Sequence, residues 1–262
     1  MFRYLKLFWA TFLMVAFNGY ALVFFSVSTG AQDRPLETVS ADTATIQERV
    51  EIETRFAKFL EGRKVVGLRT RVENQSIVPR SPESGPQYDT IFGTGFLIKE
   101  NIVATVNHLI RDSQVTEANA GKGWKRATLF GRIHTRDISF FKVKDGFAGD
   151  IITETRSIKT VFASFPQDTK QIPLSQLLVG VRCVIGDHSR VLIGELVRLY
   201  VSTGMFDFII SGDAQGCSGA PVFAYDGAVV GILQSGSGVS IRAFDIEQVF
   251  EALHAFEATE KK

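Results

Sequence analysis

The chain has 262 residues, a formal net charge of +1 and a 45% apolar content that includes 22 phenylalanines. Nearly balanced charge argues against a dedicated nucleic-acid surface, and the apolar content is ample for one sizeable core. The two cysteines and four histidines form no cluster at metal-ligand spacing, so neither metal nor cofactor is expected.

Leu5 to Val27 is almost continuously apolar, broken chiefly by Lys6, Asn18 and Gly19. Beyond Lys6 it runs for about 20 residues, the length at which a helix crosses a bilayer. Arg3 and Lys6 precede the run, while Asp33, Arg34 and Glu37 follow it. That charge order predicts a cytoplasmic N-terminus and an exported remainder. The small residues from Ser26 to Ala31 keep a second reading open, a signal peptide cleaved after Thr29-Gly30-Ala31. Residues 1–31 are thus a signal anchor or a signal peptide. The rest is expected in the periplasm or outside the cell, tethered by a single pass or secreted if cleaved.

Residues 32–62 read as a linker containing Pro35, followed by a helix. Thr45-Ile46-Gln47-Glu48 offers a capping box and Gly62 a stop. Ile46, Val50, Phe56, Phe59 and Leu60 give that helix an irregular apolar face, predicted to pack on the domain or on a neighbouring subunit. Over residues 63–249, short strands alternate with Gly, Pro, Asn and Ser turns, an all-β pattern. Glu73 to Asp89, with Pro79, Pro82 and Pro86, reads as a mobile loop, and Ile151 to Leu178 as a bridge between two halves. Asp245-Ile246-Glu247-Gln248 starts a last helix, completed within residues 250–262, with Val249, Leu253 and Phe256 facing inward.

Three segments carry chemistry. Gly93-Thr94-Gly95-Phe96-Leu97-Ile98 reads as a glycine turn leading into a strand, and a second strand, Ile102-Val103-Ala104-Thr105-Val106-Asn107-His108, ends in a histidine. Arg136-Asp137-Ile138-Ser139-Phe140-Phe141-Lys142-Val143 places an acid just ahead of an apolar strand. Gly216-Cys217-Ser218-Gly219-Ala220-Pro221 holds a serine between glycines, where a tight turn presents backbone N–H groups. The order is therefore base, acid, nucleophile, separated by 29 and 81 residues. That is one of the chain orders in which a Ser-His-Asp triad occurs.

The other candidates are weaker. His134 and His188 sit in polar turns, and His254 on a helix, which is a surface pattern. Asp112 competes with Asp137, because it lies four residues beyond His108 and a helical turn would put both on one face. Asp213 suits either a specificity pocket or a turn cap, and a pocket near Gly236 and Arg242 is a further candidate.

These blocks resemble those of trypsin-like serine proteases, most nearly the HtrA/Deg branch. Thr105 to Ile110 is similar to that family's Thr-x-x-His-Val-Val, Asp137 to Val143 to its Asp-Ile-Ala block, and Gly216 to Val222 to Gly-Asn-Ser-Gly-Gly-Pro-Leu. Val184-Ile185-Gly186-Asp187 and Asp226-Gly227-Ala228-Val229-Val230-Gly231-Ile232 add fainter echoes, so the resemblance runs from about Val65 to Val249. Cys217, Ala220 and Asp187-His188 depart from the family pattern without removing a triad member.

The resemblance implies an all-β fold of two six-stranded antiparallel barrels. With it go the N-terminal transmembrane helix, the linker helix and the short C-terminal helix read above. It implies a serine endopeptidase acting on exported or misfolded polypeptides, with His108 as base, Asp137 as orienting acid, Ser218 as nucleophile, and Gly216 and Ser218 N–H as oxyanion donors. The alternative is an inactive trypsin-like domain that binds peptides or a partner. Many HtrA/Deg proteins carry a PDZ domain after the barrel. The 44 residues after Ser218 leave no room for one, so regulation is expected from a homotrimer or from the loops. A Cys183–Cys217 bridge is permitted in an exported protein, but the family offers no matching one, and catalysis is expected to depend on neither thiol.

Overall fold

The computed structural model describes residues 40–41, 46–73, 88–110, 115–121, 123–143, 151–163, 171–172 and 174–260. The expected transmembrane helix, the Thr45 cap and residues 74–87 of the expected mobile loop lie outside them. Among the described residues no helix is long and apolar enough to cross a membrane.

In chain order come β1 (Ser40–Ala41) and α1 (Ile46–Glu61), then β2 (Val66–Glu73), β3 (Tyr88–Lys99), β4 (Ile102–Val106), β5 (Val115–Asn119), β6 (Trp124–Ile133) and β7 (Ile138–Val143). A connecting region holds α2 (Ile158–Ala163), β8 (Gln171–Ile172), which pairs in parallel with β1, and α3 (Leu174–Leu177). β9 (Leu178–Ile185), β10 (His188–Tyr200), β11 (Met205–Ile210), β12 (Pro221–Ala224), β13 (Val229–Ser237) and β14 (Ser240–Asp245) precede α4 (Ile246–Glu260).

Two closed barrels result, ordered β2-β3-β4-β7-β6-β5 and β10-β11-β14-β13-β12-β9, and every neighbouring pair in each is antiparallel. The two-barrel expectation holds. Closure pairs each strand on both sides over part of its length and removes most of the exposed edge of an open sheet.

The core has three parts. Leu68, Leu97, Val103 and Phe141 fill the first barrel, and Val181, Leu192, Phe208 and Val222 the second. A third cluster joins the barrels and takes in both terminal helices, with Phe56 and Leu60 of α1, Phe96, Phe140, Phe223 and Ile232 of the strands, and Val249 and Leu253 of α4. β4 is buried at all five positions, which is why it is apolar except at Thr105 and does not alternate. α1 uses only part of its apolar face, since Ile46 and Val50 stay exposed at 71% and 56%. α4 docks as expected, with Phe256 edge-on to Phe140 at 6.0 Å between ring centroids.

Two local readings change. Gly93-Thr94-Gly95 is no turn but the middle of β3. Gly93 is small because a Cβ there would meet Leu109 Cδ1 at 2.2 Å, a long-range contact that no local pattern encodes. β4 stops at Val106, so His108 lies two residues past the strand's end, on a short 3-10 turn, Asn107–Leu109.

Candidate active site

His108 and Asp137 come together at the rim of the first barrel. Val106 at the end of β4 pairs with Ile138 at the start of β7, so the residues that leave these strands are neighbours. The Asp137 carboxylate grips His108 twice. Its Oδ1 accepts the His108 backbone N–H at 2.8 Å, and its Oδ2 lies 2.7 Å from Nδ1. The Asp137 carbonyl accepts the Asn107 N–H at 2.9 Å, and Asn107 Oδ1 accepts the Ser139 hydroxyl at 3.1 Å.

Asp137 itself closes a second 3-10 turn, His134–Arg136, in the left-handed region with φ 50° and ψ 37°. Among the described residues it is the sole non-glycine with positive φ. Aspartate tolerates that region better than most side chains, but holding it there costs roughly 1 kcal/mol or more. The surrounding hydrogen bonds hold it in place. His108 is the exposed member of the pair, its side chain 41% accessible against 18% for Asp137.

Ser218 is brought in from the second barrel by a turn ahead of β12. The Thr94 N–H donates to the Ser218 carbonyl at 3.0 Å, and the Thr94 carbonyl accepts the Thr105 hydroxyl at 2.8 Å. One buried residue of β3 therefore ties the serine turn to the strand that leads to His108. Gly219 has φ +84°, and a Cβ on it would meet Thr105 Oγ1 at 2.1 Å and the Thr94 carbonyl at 2.2 Å. Only glycine fits that position.

The turn's remaining donors divide cleanly. The N–H groups of Cys217, Gly219 and Ala220 donate to Ala214, Leu233 and Cys217 carbonyls at 2.9, 2.8 and 2.9 Å. Those of Gly216 and Ser218 donate to no carbonyl among the described residues.

Cys217 is bonded to Cys183 of β9 across a Cα–Cα distance of 5.0 Å, and both are fully buried. The bridge left open above is therefore present. Asp213 caps its turn by accepting the Gln215 N–H at 2.9 Å. Arg242 is committed to Asp207 and Tyr200, which gives it a structural tie rather than a free charge. His134, His188 and His254 are exposed, and Asp112 lies outside the described residues.

Sequence reasoning missed one feature altogether. Up to Leu233, β13 lies beside β12 and the serine turn, but Ser235, Gly236 and Ser237 pair only with β14. Among the described residues their other edge has no partner right after the point where β13 passes the turn. A cavity of about 580 Å³, lined among others by Thr135, Arg136, Gln234 and Glu251, does not include His108 or Ser218. Among the described residues no group of His, Cys, Asp and Glu could hold a metal ion.

Two closed antiparallel barrels with a histidine–aspartate pair on one and a glycine-flanked serine turn on the other define a serine-protease fold. The chain belongs to the trypsin-like peptidase domain family, whose pattern matches residues 93–232, more than half its length. The crystal structure of Rv3671c from M. tuberculosis H37Rv, an inactive serine-to-alanine mutant, superposes with a TM-score of 0.55 at 15% identity. That match covers 84% of this chain and 98% of Rv3671c, and at such identity it speaks to the fold. No curated protein matches the sequence.

Proposed function

We propose that this chain is a serine endopeptidase that cleaves exported or unfolded polypeptides. His108, Asp137 and Ser218 act as one unit, and the N–H groups of Gly216 and Ser218 are its oxyanion donors. The observation that carries the reading is the two-point grip of Asp137 on His108. A carboxylate against Nδ1 keeps the proton on that nitrogen, which leaves the Nε2 lone pair to accept the Ser218 hydroxyl proton.

Ser218 Oγ attacks the peptide carbonyl, and His108 takes its proton as the C–O bond forms. The carbonyl oxygen becomes an oxyanion, stabilised by the two free N–H groups. Loss of one such donor costs about 2.7–4 kcal/mol of transition-state stabilisation. His108 then protonates the departing amine as the C–N bond breaks. Water repeats the sequence on the acyl-enzyme, with His108 again as base, and frees the carboxylate product.

The open edge of Ser235–Ser237 supports an extended polypeptide as substrate, because a peptide can add there as a strand through main-chain bonds. An unfolded chain offers such a strand; a folded one has already paired it. The apolar run over residues 7–27 supports a tether that displays the domain outside the cytoplasmic membrane, and the motif resemblance supports the HtrA/Deg branch and a homotrimer.

The test is cleavage of reduced, unfolded casein by the full chain in detergent. Wild type is expected to degrade it and Ser218→Ala to leave it intact. Cleavage that survives Ser218→Ala contradicts the reading. Tight peptide binding without turnover puts the non-catalytic binder in its place.

A further inference from the structure

We propose that the Cys183–Cys217 disulfide is a positioning element of the oxyanion turn, a role that rests on the protease reading. Cys217 stands between Gly216 and Ser218, the two residues whose N–H groups have no carbonyl partner among the described residues. Gly216 has φ +80° and Gly219 φ +84°. A turn flanked by two such permissive residues has little conformational preference of its own. The one buried side chain available to anchor it from within is Cys217, 0% exposed in the core of the second barrel.

The core cluster around that side chain is apolar. Its neighbours in the cluster include Val181, Leu192, Ala220 and Val222, so an amide or carboxylate at position 217 would be buried among apolar groups. A covalent bond to β9 does the anchoring instead. β9 is paired with β10 from Leu178 to Ile185 on one edge and with β12 from Val179 to Val181 on the other.

Two further contacts hold the turn to the same strand. A Cβ on Gly216 would meet Ile185 Cδ1 at 2.8 Å, so the turn already lies against β9 one register step beyond the bridge. The Thr94 hydroxyl accepts the Val184 N–H at 3.1 Å and reaches the Gly216 carbonyl at 3.4 Å. Cys183, Val184 and Ile185 thus fix the turn at three successive points, of which the bridge alone is covalent. The proposal runs against the expectation that catalysis depends on neither cysteine.

The test compares the full chain with its C183A/C217A double variant, which leaves no unpaired thiol. kcat is expected to fall on the order of 10²-fold, as for loss of an oxyanion donor, with KM little changed. Affinity for a peptide aldehyde, which binds as a tetrahedral adduct, should fall in parallel, while affinity for the cleaved product peptide should not. Leu196→Ala, a core truncation in the same barrel, serves as the control: it lowers Tm without lowering kcat. Wild-type kcat in the double variant overturns the role, as does an equal kcat loss in Leu196→Ala or unchanged aldehyde affinity. If the double variant does not fold, phosphine reduction of the wild type decides. Activity lost in step with two new thiols, while the near-UV signal persists, supports the proposal; activity that outlives the bridge overturns it. A wild type that never cleaves or labels at Ser218 refutes the protease reading and this role together.

Discussion

The two barrels hold their parts of the site by different means. On the first, His108 is exposed and is positioned by hydrogen bonds alone, from an aspartate kept in the left-handed region. On the second, the serine turn is backed by a buried disulfide, and Gly219 is wedged against Thr94 and Thr105. In the proposed reaction the base must exchange protons with serine, leaving amine and water, so it needs access and a fixed tautomer more than a rigid bed. In the same proposal the serine turn must present two N–H groups at a set spacing to a charge that exists only briefly. Preorganisation matters most there, and there the chain uses a covalent bond.

The largest effect expected from breaking this contrast is on turnover. Ser218→Ala or His108→Ala should each lower kcat on the order of 10⁶-fold, and the double substitution little further, because such residues act as a unit. Thermal melting should barely move for Ser218→Ala, since its hydroxyl contributes nothing to the apolar core.

Asp137→Asn is expected to cost less, about 10⁴-fold in kcat, through the wrong histidine tautomer. Asparagine also tolerates positive φ, so circular dichroism should show an intact fold. A loss matching Ser218→Ala, with the fold intact, would mean the acid does more than orient.

Thr94→Val probes the tie between the halves. Removing the hydroxyl strands the half-buried Val184 N–H, a loss of about 1 kcal/mol measurable by urea unfolding, with a smaller fall in kcat. Thr94→Ser should restore both. A valine variant as stable as wild type would show the tie to be incidental.

The smallest effect concerns pH and lies away from the chemistry. Asp245 is 1% exposed and caps α4 through the Glu247 N–H at 3.0 Å, with the Ser157 hydroxyl on its other oxygen at 2.7 Å. Burial raises its pKa above the usual carboxylate range, against the pull of those two bonds. A folded-state pKa above the unfolded one favours folding at low pH, and that contribution fades as pH rises through the folded value. Asp245→Asn should therefore flatten the decline in Tm over the mildly acidic range. A slope that persists in the variant would assign it to another group.

Much of this was legible in the sequence because it is local. The alternation of short strands with turns, the run at β4 and the inward stripe of α4 each follow from neighbouring residues, as do the three motif blocks. What escaped was long-range. Gly93 and Gly95 look like turn glycines but sit in a strand, small because Leu109 and Val103 press on them. Cys183 and Cys217 are 34 residues apart and meet only once the barrel closes. The role of Thr94 depends on four partners, Thr105, Val184, Gly216 and Ser218, from both halves of the chain. The αL backbone of Asp137 and the open edge after Leu233 are likewise products of closure, with no signature in composition or period.

The central claim is that Ser218 is an activated nucleophile. A fluorophosphonate probe tests it most directly, because it reacts with a serine only where a base and an oxyanion site act together. The account predicts one adduct per chain, mapped by mass spectrometry to Ser218 and abolished by His108→Ala. A folded wild-type protein that takes no label, or takes it equally without His108, would contradict it.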